Sequence, residues 1–83
     1  MMLIGTITTD HEPGQARMFA RQDLATGFWE AVIERPGGTL APTHFSSDNL
    51  PDLIWAIDLS YSHGGGRRLR LTVGAERLLH AYQ

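Results

Sequence analysis

The sequence predicts an α+β fold: a four- to five-stranded, mainly antiparallel sheet with one main helix packed on one face and a short C-terminal helix. Three observations carry this. β-branched and aromatic runs alternate with turn residues at short spacing through the first half. A single amphipathic stretch then follows a cluster of side-chain acceptors. The remainder alternates strictly before a last stretch at helical spacing. With 83 residues, the chain is expected to be one small domain spanning 1–83.

Met2 to Thr9 reads as the first strand, and the loop Asp10-His11-Glu12-Pro13-Gly14 follows, its turn set by adjacent Pro and Gly. Ala16 to Asp23 is the second strand. Leu24-Ala25-Thr26-Gly27 has the length and the glycine of a hairpin connection into a third, Phe28 to Glu34. Arg35-Pro36-Gly37-Gly38 carries the type II turn signature, Pro second and Gly third, and returns the chain into Thr39 to Phe45. Pro42 cannot donate a ladder hydrogen bond, which places that run on a sheet edge.

Ser46-Ser47-Asp48-Asn49 supplies acceptors for orphan helical amides, Pro51 suits a first turn and Asp52 complements the dipole. A helix should run from there to about Ser62, stopped by His63-Gly64-Gly65-Gly66 as a left-handed C-terminal cap. Arg68 to Val73 alternates, so Leu69, Leu71 and Val73 should face a core while Arg70 and Thr72 face out. Ala75, Leu78, Leu79 and Tyr82 fit one face of a C-terminal helix, with a continued strand as the alternative.

Composition excludes whole classes of chemistry. Cysteine is absent, which removes disulfides, thiolate metal sites and thiol nucleophiles. The seven basic residues are all arginine, so no phosphate-loop, Schiff-base or general-base lysine exists. The first residues lack the basic and apolar regions of a signal peptide, and no apolar run is long enough for a membrane span; the expectation is a soluble, cytoplasmic chain with no membrane contact. A net charge of −2 argues against a general cationic coat.

Motifs for catalysis are weak. His11, His44, His63 and His80 do not share a metal-ligand spacing. His63-Gly64-Gly65-Gly66 matches an oxyanion-loop tetrapeptide, but the Gly-x-Ser-x-Gly elbow that such chemistry requires is missing. Ser46, Ser47, Ser60 and Ser62 lie near His44, His63, Asp48 and Asp58 in the chain, yet triads are defined by spatial roles, and capping explains the first of these residues. Glu30 and Glu34 share a strand face as ordinary solvated charges. No enzyme, cofactor or metal is expected.

Two surfaces remain. On the helix, Leu50, Leu53, Ile54, Ile57 and Tyr61 form the stripe that should pack on the sheet, leaving Trp55 and Leu59 opposite. That side either is covered by the N-terminal strand or the C-terminal helix, or is an interface anchor, with Asp48, Asp52 and Asp58 around it to suit a basic partner. The second surface is Arg17-x-Phe19-x-Arg21, an aromatic between guanidinium groups on one strand face, which Arg67, Arg68, Arg70 and Arg77 could join. Against it, Phe19 could be core while its flanks snorkel. The expected function is thus a non-enzymatic interaction module, a small inhibitor or adaptor such as mobile elements carry. It would bind a partner protein or self-associate through Trp55, Leu59 and the aspartates. The alternative is a nucleic-acid-binding domain using Phe19 and the arginines.

Overall fold

A computed structural model of the chain describes residues 1–11, 14–63 and 65–82, with Tyr82 described by its backbone alone. The described residues form β1 (Met2–Thr9), β2 (Ala16–Gln22), β3 (Trp29–Glu34), β4 (Leu40–Ser47), α1 (Leu50–Ser62), β5 (Arg67–Leu71) and α2 (Val73–Tyr82). The strands make one sheet in the order β4-β3-β2-β1-β5, antiparallel at every pairing. This is the α+β architecture expected from the sequence, with β4 and β5 at the edges.

Turn chemistry sets the meander. In the β2–β3 hairpin the Asp23 amide donates to the Phe28 carbonyl at 2.8 Å, and Gly27 takes the positive φ of 79° that the connection needs. Gly38 N–H donates to the Arg35 carbonyl at 2.9 Å and Gly37 has φ of 101°, the type II geometry. The turn expected around Pro13 lies partly outside the described residues, as does Gly64.

β4 ends at Ser47 and Asn49 alone is the N-cap of α1, its side-chain oxygen accepting from the Asp52 amide at 2.8 Å. The serines expected to cap belong instead to the strand. From there α1 crosses the sheet from edge strand β4 toward edge strand β5, which follows it in the chain. At its far end the C-cap is His63 in a right-handed conformation; among the described glycines that follow, Gly66 takes a positive φ.

Leu53, Ile54 and Ile57 are fully buried beneath α1, joined by Ile4, Ile7, Met18, Ala20 and Ala31 from the sheet and by Ala75 and Leu79 from α2. Full burial of each large aliphatic side chain contributes about 1.5–3 kcal/mol, so this stripe is the main attachment of the helix. The alternation through Leu69 and Leu71 stops at Leu71, and Val73 is 66% exposed as the first residue of α2. Thr72 ends the strand: its hydroxyl accepts from the Ala75 amide at 3.1 Å and its carbonyl from Glu76, opening the helix.

Both helices lie on one face of the sheet, and among the described residues no layer covers the other face. Register places Arg17, Phe19 and Arg21 of β2 beside Glu34, Val32 and Glu30 of β3 on this open side. Val32 is only 1% exposed although it stands apart from the core cluster under the helices. Its cross-strand neighbours are Phe19 and Pro42.

Candidate functional site

Trp55 and Leu59 are separated by one turn of α1 and therefore share a side of the helix. The buried stripe faces the sheet, and these two point away from it, 45% and 43% exposed. Neither is fully covered by the rest of the fold, in which α2 directs Ala75 and Leu79 to the core. Asp52 and Asp58 stand three residues before and after Trp55, on either flank of it. Asp52 is held by the cap, accepting from Asn49 Nδ2 at 2.8 Å. Asp48 precedes the cap, is exposed, and accepts from the same amide nitrogen at 3.3 Å.

Asp58 has a second setting. It lines a shallow groove with Tyr61 and Ser62 of α1 and with Arg67, Arg68 and Leu69 of β5. The Arg67 guanidinium lies 5.0 Å from the Tyr61 ring centre, a cation–π contact on the helix side of the sheet. Arg67 is thereby on the opposite side from Arg68 and Arg70, which alternation sends to the open face.

The arginines of β2 are already engaged. Arg17 donates from Nε to Glu34 Oε1 at 2.8 Å and also from Nη2 to the same oxygen, while its guanidinium carbon lies 5.2 Å from the Phe19 ring centre. Arg21 Nε donates to Glu30 Oε1 at 2.6 Å. The four charges therefore form two cross-strand pairs with Phe19 and Val32 between them. Thr6 lies between Arg17 and Arg70 across the sheet, so the two backbone positions are about 10 Å apart with one strand between them.

No family model, curated protein or solved structure matches the chain.

Sequence reasoning missed the glutamate partners of Arg17 and Arg21. The signal was present: counting outward from a hairpin closed by Asp23 and Phe28 sets Arg21 opposite Glu30 and Arg17 opposite Glu34. Among the described residues, no three His, Asp or Glu side chains group as metal ligands, and the exposed His44 instead packs its ring 4.2 Å from Phe45. No helix among the described residues is long and apolar enough to cross a membrane.

Proposed function

We propose that the chain is a non-enzymatic protein-interaction module, an inhibitor or adaptor that acts by occupying a partner's surface with the outer side of α1. The observation that carries this reading is Trp55 beside Leu59, both nearly half exposed on a helix whose attachment to the sheet is complete without them. An indole is a large, rigid anchor, and tryptophan is enriched among the few residues that dominate interface energies. Asp48, Asp52 and Asp58 add negative charge around it, so the fitting partner is a protein with an apolar pocket rimmed by basic side chains. The nucleic-acid alternative receives less support, since Arg17 and Arg21 already spend their charge on Glu34 and Glu30 and Arg17 covers Phe19.

The test is a pull-down from nuclease-treated host lysate with wild type and Trp55→Asp, each checked for native circular dichroism. A protein retained by wild type and lost by the folded variant supports the reading and names the partner. Equal retention by both proteins, or nothing retained once nucleic acid is digested, overturns it. Sedimentation of the two proteins alone reads self-association through the same side.

A further inference from the structure

The sheet's two edges are unlike. At β4, Pro42 pairs with Val32, and the spacing between Glu30 and Val32 in that ladder is irregular. At the other edge β5 runs in regular register against β1, from Gly5 opposite Leu71 to Thr9 opposite Arg67. The bonds from Thr72 N–H to the Ile4 carbonyl and from Asp10 N–H to the Gly66 carbonyl fix which residues of β5 turn their backbone toward β1. Because antiparallel pairs alternate, Arg68 and Arg70 point their amides and carbonyls inward, and Arg67, Leu69 and Leu71 point theirs to the free edge.

The side chains follow a second pattern. Each arginine of β2 on the open face has a glutamate directly across from it on β3. Arg68 and Arg70 sit on the same face with Thr8 and Thr6 across from them on β1, and neither has an ion-pair partner among the described residues. Among the described residues no strand lies beyond them to supply carboxylates. Along this edge, on the helix side, runs the groove between Asp58, Tyr61 and Ser62 of α1 and Arg67, Arg68 and Leu69 of β5.

We propose that the free edge of β5 accepts an extended acidic segment of a partner protein as a sixth strand. The partner's backbone bonds to the outward amides and carbonyls of Arg67, Leu69 and Leu71. Its alternate carboxylates meet Arg68 and Arg70 on the open face, repeating the arginine–glutamate ladder of β2 and β3, and the side chains between them enter the groove beside Tyr61. This surface is separate from Trp55 and stands or falls without it.

The probe is a synthetic peptide alternating glutamate with valine, titrated to millimolar concentration into the isotope-labelled chain while backbone amide shifts are read by nuclear magnetic resonance. The expected result is a saturable shift centred on the amides of Arg67, Leu69 and Leu71. It should vanish when the peptide is methylated on the alternate backbone nitrogens that face β5. In Arg68→Glu/Arg70→Glu, affinity for this peptide should fall by about tenfold or more, and a lysine–valine peptide should bind instead. Absence of any shift at these amides overturns the proposal. So does equal binding of the methylated peptide, which would reduce the contact to charge attraction. A single-stranded oligonucleotide that binds these arginines while the acidic peptide is inert also overturns it, in favour of a nucleic-acid surface. If Arg68→Glu/Arg70→Glu merely self-associates and binds neither peptide, the arginines serve only to keep edges of different copies apart, and the proposal fails.

Discussion

Gly5 on β1 lies so near the Arg70 carbonyl of β5 that an added Cβ would collide with that oxygen and would also stand 3.1 Å from Leu69 Cδ1. Alanine in place of a strand glycine ordinarily gains about 0.5–1 kcal/mol through backbone entropy. Here the sign reverses, because the obstacle is backbone and cannot swing away. Gly5→Ala should lower stability by about 1–3 kcal/mol, the usual cost of overpacking, read from urea midpoints at unchanged slope.

The N-cap of α1 rests on one side chain. Asn49→Ala leaves the Asp52 amide without its acceptor and should cost about 1 kcal/mol, whereas Asn49→Gly should cost only a few tenths. Equal losses in the two variants would mean that the cap is not the source of the effect.

Trp55 and Leu59 should be separable from folding. Trp55→Asp and Leu59→Ser are expected to change stability by about 0.5 kcal/mol or less, while Ile57→Ala, fully buried on the opposite side of the same helix, should lose about 2–5 kcal/mol. A large loss from Trp55→Asp in chemical denaturation would show that the indole is structural and would remove it as a binding anchor.

The pairs on the open face should be weak and sensitive to salt. Arg21 and Glu30 are both more than a third exposed, so a double-mutant cycle with Arg21→Gln and Glu30→Gln should give a coupling of about 0.2–1 kcal/mol. That coupling should shrink as ionic strength rises toward 1 M. Their contribution is to register and to the occupation of charge more than to stability.

The strands, the main helix and the edge position of Pro42 were legible in the sequence because each rests on local chemistry: alternation, a turn glycine, a missing N–H. The burial of Val32 was not legible. It depends on Phe19 and Pro42 arriving from separate strands, information that exists only once three strands are in register. Val73 misled for a related reason. Its place in an apolar alternation outweighed Thr72, whose short side chain can end a strand by opening a helix. Of the helix-side surface, the identity of Trp55 and Leu59 could be read from angular spacing, but their exposure depended on where α2 came to rest.

Pro42 has no amide hydrogen, and the pairing of Arg35 with Thr39 and Ile33 with Ala41 turns its nitrogen outward, so the row of donors on β4 is broken at its middle. Endless stacking of sheets requires two receptive edges on every copy, and among the described residues Pro42 interrupts one of the two. An acidic strand seated on β5 would leave the interrupted β4 as the outer edge on the far side, so the proline disfavours further growth through native edges.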